Sequence, residues 1–565
     1  MAAAAPARPD GPLTHRQIIT ILVGLMMGMF LAALDQTIVA TAIRTIADDL
    51  KGLDEQAWAT TAYLITSTIV TPLYGKLSDI YGRKPFFIAA ISIFIFGSIL
   101  CTFADSMLQL AAFRAVQGLG AGGLFSLALA IIGDIVPPRE RAKYQGYFLA
   151  VFGTSSVLGP VIGGFFAGTD TILGIDGWRW VFLVNVPIGA AALAVVSKTL
   201  HLHHTRLDHR IDWWGAAALS AALVPLLLVL EQGREWGWTS TASLTCLVIG
   251  AAAAVAFFLI ERAMGEEAIL PLALFRIRTV GVASIASVLI GVAMFGGLAS
   301  LPLYLQIVKG ASPTEAGLLL LPMTLGIMAG SVSSGVAISK TGRYRHFPII
   351  GAALLTLSLY VFHFVGADTP LWQTMIVMVF FGIGLGFNFQ PLTLAVQNAV
   401  VPQQIGVATS TATFTRQIGG TIGTAVFLSI LFSTLPDKIA AAMGRIAPTP
   451  EFQAALRDPA NATFAKQFAQ AQQSGGGAAS SSGVLKDSSF LNNLDARLAK
   501  PFLEGFSDSM DLVFLVGSAV MVVGFLVMLF LPHVELRSGS AYAERGQADA
   551  DAAEAAAAAP PAIGH

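Results

Sequence analysis

A single carboxylate lies inside an apolar stretch near the start of the chain. In LAALDQTIVATAI, residues 31–43, Asp35 has no lysine or arginine closer in sequence than Arg44. A charged side chain at the centre of a bilayer costs about 2.5–3.5 kcal/mol on insertion scales, so it normally faces a protein interior, pairs with an opposite charge or marks a transport pathway. Because burial raises the pKa of an aspartate and a nearby cation lowers it, such an acid is suited to loading and releasing a proton.

Two more charged residues, Arg114 and Arg416, lie away from the ends of the apolar segments. At a rise of ~1.5 Å per residue, the predicted helices place Asp35 and Arg114 roughly 10–12 Å below the same membrane surface. The two can therefore meet, as a proton-coupling pair or as a static pair that locks two helices. Arg416 lies near Gly419 and Gly423, a spacing typical of close helix packing in membranes, and either lines a cavity or ties helices together.

These residues must be positioned by helices that cross a membrane. The chain has 565 residues, of which 55% are hydrophobic and 12% charged, whereas soluble domains carry about 25% charged residues. Apolar runs of about twenty residues, the length that crosses the hydrocarbon core, recur from end to end. The net charge of −1 does not indicate a nucleic-acid partner. We predict an all-α polytopic membrane protein with fourteen spans, at 18–43, 57–75, 85–104, 107–133, 144–167, 180–197, 213–230, 241–260, 279–308, 316–339, 347–366, 371–400, 405–433 and 512–532.

The distribution of cations predicts the orientation of these helices. Lysine and arginine collect in alternate loops, for example at Lys76, Arg83 and Lys84, while the short opposite loops hold scattered single cations. Loops rich in cations stay in the cytoplasm, and an even number of spans then places both termini there. We expect the protein in the cell membrane.

The segment 434–511 is predicted to be a long external loop, since it mixes helix-prone stretches with the linker SGGGAASSSG. We interpret it as a flexible elaboration, with partner docking or substrate handling as the alternative. The predicted domains are a cytoplasmic N-terminus at 1–17, an N-terminal six-helix half at 18–200, a linker with two inserted membrane helices at 201–278, a C-terminal six-helix half at 279–532 and a disordered cytoplasmic tail at 533–565.

An internal repeat supports two halves. GKLSDIYGRK, residues 75–84, follows the second helix, and a degraded copy, GVAISKTGRY at 335–344, follows the tenth. Eight helices separate the two loops, so both face the same side, as in transporters built from parallel repeats of six helices. Ser339 stands where the first copy has Asp79, so the second half keeps Gly342 and Arg343 but lacks the acid.

Five stretches in order resemble one family: LDQTIVATAI, GKLSDIYGRK, RAVQGLGAG, GPVIGG and WRWVFLVNVPIG. The chain resembles the fourteen-helix drug:proton antiporters (EmrB/QacA type) of the major facilitator superfamily. The resemblance implies two pseudo-symmetric six-helix halves plus two inserted helices, and export by alternating access in exchange for protons. It implies no cofactor beyond the coupling proton and no metal.

The resemblance also assigns roles to residues. Asp35 and Arg114 are implied in proton coupling. The loop after the second helix is implied as a latch that holds the inner gate shut, through Gly75, Asp79, Gly82 and Arg83. The fifth helix is implied to carry the antiporter motif, which favours export over uptake, through Gly153, Gly159, Pro160, Gly163 and Gly164.

The expected substrates are small lipophilic or cationic compounds, because aromatic faces suit such solutes. Candidate cavity residues are Trp58, Tyr63, Phe295, Tyr304, Gln306, Phe387, Asn388, Phe389, Gln390 and Arg416. An exporter or flippase of an endogenous lipid or secondary metabolite is the alternative function. The run HLHH at 201–204 is interpreted as a solvated loop. Because the chain shows no nucleotide-binding or hydrolase motif, we predict a transporter rather than an enzyme. We expect it to function as a monomer among membrane lipids.

Overall fold

The computed structural model describes residues 15–51, 55–200, 211–473 and 494–537. The first fourteen residues, the histidine run, the Gly/Ser linker of the external segment and the tail from 538 onward lie outside the described residues. Predictions that fall on those parts of the chain stay predictions.

The N-terminal half is a bundle of helices with one small hairpin. Two-residue strands, β1 (Thr171–Ile172) and β2 (Ile175–Asp176), form the hairpin after the fifth helix. The helices are α1 (His15–Asp49), α2 (Gln56–Tyr81), α3 (Arg83–Cys101), α4 (Met107–Ile135), α5 (Pro138–Ala167), α6 (Trp180–Leu183) and α7 (Asn185–Thr199).

The remaining helices form the insert and the C-terminal half. The insert contains α8 (Trp213–Trp236) and α9 (Thr241–Met264). The C-terminal helices are α10 (Leu272–Arg276), α11 (Arg278–Leu303, followed by a π-helical turn at Tyr304–Val308), α12 (Pro313–Leu319), α13 (Leu321–Thr341), α14 (His346–Phe362), α15 (Leu371–Ala399), α16 (Ile405–Ile446), α17 (Pro450–Arg457), α18 (Ala462–Gln473) and α19 (Ala496–Leu529).

Each of the fourteen predicted spans coincides with helical structure. Within the described residues, eleven helical segments are long and apolar enough to cross a membrane. The other three predicted spans fall on α2, which is rich in threonine and serine, on α14, and on α5, whose apolar part is Gly153–Ala167. We refer below to the end of the bundle where α1 begins as the predicted cytoplasmic end, and to the opposite end as the predicted external end.

The predicted external loop is largely helical where the structure describes it, which corrects the interpretation of a flexible segment. Helix α16 and helix α19 each continue about four turns beyond their predicted spans. The short helices α17 and α18 pack beside them around Phe452, Ala455 and Leu498, which are buried. The helix-prone stretches of this segment include α17 and α18, but the sequence did not show how far α16 and α19 extend, because the apolar residues there form one face of a water-exposed helix rather than a continuous apolar run.

The buried apolar residues follow the two predicted halves, with separate clusters in α1–α7 and in α10–α19. The halves meet along two seams, α2 against α16 and α5 against α13. The inserted helix α8 packs on the first seam, where Leu219 and Leu223 share a cluster with Ile65 of α2 and Phe414 of α16. Helix α9 packs mainly on α8. The insert therefore contacts both halves at one seam.

Candidate functional site: buried charges between the helices

Asp35 is the acid that the sequence singled out, and it lies on α1 completely buried. Its Oδ2 accepts a hydrogen bond from Arg114 Nη1 of α4 at 2.5 Å. Its Oδ1 accepts hydrogen bonds from the side-chain amides of Gln117 on α4 and Asn185 on α7, both at 2.8 Å. The structure thus brings Asp35 and Arg114 together and adds two amide donors to the same carboxylate.

Arg114 is enclosed on its other sides as well. Its Nη1 also donates to Gln117 Oε1 at 2.6 Å, and its guanidinium lies over the ring of Tyr63, 4.2 Å from the centroid. Ser98 on α3 accepts from Gln117 Nε2 at 2.6 Å and from Asn185 Nδ2 at 3.1 Å. We call Asp35, Ser98, Arg114, Gln117 and Asn185 the Asp35 cluster.

The local sequence explains why four helices converge here. Arg114 and Gln117 lie one turn apart on the same face of α4. Gly97 lets α3 approach, because a Cβ at this position would lie 2.6 Å from the Gln117 Cα. Sequence reasoning missed Ser98, Gln117 and Asn185; a polar residue one helical turn from Arg114 was the available signal for Gln117.

Three side-chain donors point at the Asp35 carboxylate, and one of them is the cation Arg114. Protonation of Asp35 would remove the charge that the buried Arg114 faces, and an uncompensated buried charge is strongly destabilising. Because Asp35 is completely buried in this arrangement, exchange of a proton with water requires the surrounding helices to move. The charge of Asp35 is thus part of the packing of α1, α4 and α7.

The implied latch lies at the predicted cytoplasmic end and joins the two halves. Asp79 pairs with Arg83, and its carboxylate also accepts hydrogen bonds from the backbone N–H groups of Gly406 at 3.1 Å and Val407 at 2.7 Å. These two residues form the first turn of α16, where unpaired N–H groups and the helix dipole favour an anion. Asp79 is thus an anionic cap supplied by one half to a helix of the other.

The rest of the loop holds Asp79 in place. Arg83 also bonds to Asp134 of α4 at 2.8 Å, an acid that sequence reasoning did not single out. Gly82 has φ 99° between α2 and α3, a value that favours glycine. A Cβ on Gly75 would lie 2.9 Å from the Gly406 carbonyl oxygen and closer still to the Ser410 side chain, so Gly75 allows α2 to approach α16.

A second polar contact closes the same end. Arg141 at the start of α5 donates from Nη1 to Gln397 Oε1 of α15 at 2.7 Å. Gln397 Nε2 in turn donates to the Leu129 carbonyl of α4 at 3.0 Å and to Thr409 Oγ1 of α16 at 2.9 Å. We call Leu129, Arg141, Gln397 and Thr409 the Gln397 layer.

The degraded copy of the loop makes no comparable contact within the described residues. Ser339 bonds only to the carbonyl of Val336 in its own helix. Gly342 ends α13 with φ 69°, as the first copy's glycine ends α2, but Arg343 is exposed. The second copy thus lacks the acid and the contact between the halves, although its Tyr344 is buried and donates to the Pro532 carbonyl of its own half.

The glycines of α5 fit this helix against α1 directly after Asp35. A Cβ on Gly159 would lie 2.1 Å from Thr37 Oγ1, and one on Gly163 would lie 2.8 Å from the Ile38 carbonyl oxygen. Gly164, in contrast, has nothing within 4 Å of such a Cβ.

The same helix also faces the C-terminal half. A Cβ on Gly153 would lie 2.6 Å from Thr324 of α13, and Pro160 is the nearest neighbour of Gly317 on α12. The predicted antiporter motif therefore touches both α1 and the α5–α13 seam, which links the Asp35 helix to the interface between the halves.

Arg416, the third charged residue of the spans, lies on α16 with its Cζ 3.9 Å from the centroid of Phe389 on α15. Phe295 of α11 packs against Gly420, one turn further along α16. These candidate cavity residues therefore belong to one neighbourhood of the C-terminal half. Gln390, next to Phe389, is buried.

The other candidate cavity residues are dispersed. Phe387 stacks edge-on with Phe347 of α14, and Asn388 donates to the Gly384 carbonyl within its own helix. Tyr304 donates to the Gly366 carbonyl near the predicted external end. Trp58 and Gln306 are half-buried, and Tyr63 lies under Arg114. Contact of these residues with a substrate stays a prediction.

Comparison with known proteins decides the family. Residues 25–424 match the Major Facilitator Superfamily. The chain belongs to the major facilitator superfamily. Multidrug resistance protein 3 of Bacillus subtilis is 37% identical over 424 residues, which cover 74% of this chain and 80% of the relative. An uncharacterized MFS-type transporter of Mycobacterium tuberculosis (strain H37Rv) is 34% identical over 534 residues, 94% of this chain and 72% of the relative.

Two further comparisons concern the branch of the superfamily and the fold of this chain. A tetracycline resistance determinant of Streptomyces rimosus is 38% identical over 330 residues, 58% of this chain and 92% of the relative. The proton:xylose symporter XylE aligns with a TM-score of 0.57 at 14% identity, over 94% of this chain and 99% of that structure, which shows the fold. The predicted resemblance to drug transporters of the superfamily and the all-α polytopic fold are confirmed, and the protein is a multi-pass membrane transporter, not an enzyme.

Proposed function

We propose that this transporter exports small lipophilic compounds from the cell in exchange for protons, by alternating access between its two halves. The observation that carries the proposal is the Asp35 cluster, in which one buried carboxylate is held by donors from α4 and α7. Relatives named for multidrug transport support export as the direction. The coupling ion is a proton and no other cofactor is required.

Asp35 is proposed to carry the proton. In its ionised form it neutralises Arg114 and holds α1, α4 and α7 together. When Asp35 accepts a proton, Arg114 loses its counter-charge, and the helices move to bring either group towards water, because a buried unpaired charge is unfavourable. Since Gly159 and Gly163 fit α5 tightly to α1, a movement of α1 is passed to the α5–α13 seam.

The proposed inner gate consists of Asp79 at the start of α16 and the Gln397 layer. The side-chain hydrogen bonds between the halves include Thr71–Gln417 and, nearer the predicted cytoplasmic end, those of Asp79 and Gln397. This structure is accordingly closed on that side. We propose that both termini are cytoplasmic, that the protein lies in the cell membrane and that a monomer is sufficient for transport.

The proposal is tested with purified protein in proteoliposomes carrying an imposed pH gradient, screened over lipophilic dyes and cell lipids. Asp35→Asn keeps the size of the side chain and one acceptor oxygen, but it replaces the other oxygen with an amide donor and carries no titratable proton. We expect it to abolish substrate-driven proton movement while the protein still folds and inserts.

The matched control is Asp105→Asn, because the side chain of Asp105 is 86% exposed and lies outside the Asp35 cluster. Full retention of proton-coupled exchange in Asp35→Asn would contradict the proposal. Transport of cell lipids alone, with no dye accepted, would favour the exporter or flippase of an endogenous compound.

A further inference from the structure

Arg416 is a buried cation without a counter-charge. Its side chain is 5% exposed, and within the described part of the chain its polar contact is the face of Phe389, 3.9 Å from Cζ. No described carboxylate forms an ion pair with it. Because taking a charge out of water is unfavourable unless it is paired or hydrogen-bonded, Arg416 is a guanidinium that lacks a partner in this state.

The register between α15 and α16 places a buried amide at the same level as this guanidinium along the helix axes. Gln397 of α15 and Thr409 of α16 are hydrogen-bonded at 2.9 Å, and the two helices run antiparallel. A step of seven residues returns to nearly the same helix face, ~10.5 Å further along the axis. Seven residues before Gln397 is Gln390, and seven after Thr409 is Arg416, so both steps lead to one level on the predicted external side of the Gln397 layer.

Gln390 also lacks a partner. It is 3% exposed, and neither Nε2 nor Oε1 has a hydrogen-bond partner in the described residues. An unsatisfied buried amide is unfavourable. Gln390 shares its face of α15 with Gln397, which bonds to the α4 carbonyl of Leu129. That face is therefore the one directed at the N-terminal half.

The charges of the spans show which ligand this pair would accept. Asp35, the one acid among the three charged residues inside the predicted spans, already binds Arg114, Gln117 and Asn185. Arg416 therefore remains as the uncompensated charge. Phe389 covers one face of its guanidinium, which leaves the N–H edge as the polar surface. Such an edge matches the planar oxygens of a carboxylate or enolate.

We propose that Arg416 and Gln390 form a substrate subsite for an oxygen acceptor, namely a carboxylate, phenolate or enolate carried on an apolar body. The inference rests on the proposed export function and names the substrate class of that site. It differs from the cationic substrates that the family resemblance implies, because a lipophilic cation would meet Arg416 as a like charge. Both groups gain their missing partner when the acceptor binds.

The test compares three fluorescent probes with one apolar body and different head groups: 1-pyrenebutyrate, its methyl ester and 1-pyrenebutylamine. Binding is measured by fluorescence anisotropy on protein in lipid nanodiscs, with empty nanodiscs to subtract partitioning. We expect the wild type to bind the carboxylate about tenfold more tightly than the ammonium compound. Arg416→Gln should remove this preference, Arg416→Lys should keep part of it, and Gln390→Leu should weaken the carboxylate and ester together.

The matched control is Arg445→Gln, on the same helix but 58% exposed in its side chain, which should leave all three affinities unchanged. A wild type that prefers the ammonium probe or binds none of the three, or a carboxylate preference that survives in folded Arg416→Gln, overturns the inference. Proton-driven transport in proteoliposomes is scored separately. If transport by the wild type does not depend on the pH gradient while the carboxylate probe is still preferred, the proposed function is refuted and the subsite is not.

Discussion

Each half of the transporter carries one arginine inside its predicted spans, Arg114 and Arg416, but the surroundings of the two side chains differ. Arg114 in the N-terminal half has a carboxylate, a glutamine amide and an aromatic ring around it. Arg416 in the C-terminal half has an aromatic ring and no described carboxylate. A fully paired buried charge is part of the packing, whereas an unpaired one is an unfavourable feature that function can explain.

The loops that follow α2 and α13 also differ in their polar contacts. Asp79 reaches the first turn of α16, while Ser339 bonds within its own helix. Among the described residues, the N-terminal half therefore supplies the buried ion pairs and the anionic cap. The C-terminal half supplies the helix start that receives the cap and the buried Arg416, which has no described ion pair. The halves share a helix arrangement but have divided the polar chemistry between them.

The largest effect is expected from Arg114→Met. This change leaves Asp35 buried among amides without its cation, and breaking a buried ion pair in this way costs about 3–5 kcal/mol. Thermal unfolding in nanodiscs should show a large fall in Tm together with loss of transport. In a double-mutant cycle, adding Asp35→Asn should recover part of the stability. Strictly additive losses would show that the two residues do not act as a pair.

A smaller effect is expected from Asp79→Asn. The change removes the ion pair with Arg83 and weakens the bonds to the first turn of α16, and hydrogen bonds to charged groups contribute about 1.5–3 kcal/mol. Hydrogen–deuterium exchange at Gly406 and Val407 should speed up as the gate opens. Ser339→Ala, at the equivalent position of the other half, should leave exchange unchanged at both loops. Equal effects of the two changes would contradict the division between the halves.

A pair of glycine substitutions on α5 tests how closely the N-terminal half is packed. Gly159→Ala would push a methyl group into Thr37, and overpacking of this kind costs about 1–3 kcal/mol. Gly164→Ala meets open space and should be neutral. Transport rates and Tm measured on both variants give the comparison. A harmless Gly159→Ala would show that α5 does not need its close fit to α1.

The smallest change in stability is expected from Arg416→Met. Removing an unpaired buried charge is neutral or stabilising, offset by loss of a cation–π contact worth about 0.5–2 kcal/mol, so the net change should lie within about 1 kcal/mol. The same thermal assay used for Arg114→Met measures it. A fall in Tm as large as that of Arg114→Met would mean that Arg416 ties helices together.

Much of the candidate site was predictable because Asp35 and Arg114 are rare charges at matched depth in neighbouring spans. The reach of Asp79 to α16 was not predictable in its detail, since Gly406 and Val407 contribute backbone groups that every residue has. Gln117, Ser98 and Asn185 were missed for a related reason. The position of a single polar residue in the sequence of an apolar helix does not show which way that helix is rotated in the bundle.

The amino-acid sequence by itself determined the fourteen spans, the two-half organisation and the family, because hydropathy and the short motifs are local properties of the chain. Only the tertiary structure decided which buried charges are paired, that the described parts of the segment 434–511 are largely helical, and that α8 covers one seam. The physical reason is that helices apolar on all sides can pack in many rotations, and the choice among them is made by close contacts at glycines and by polar groups from distant helices.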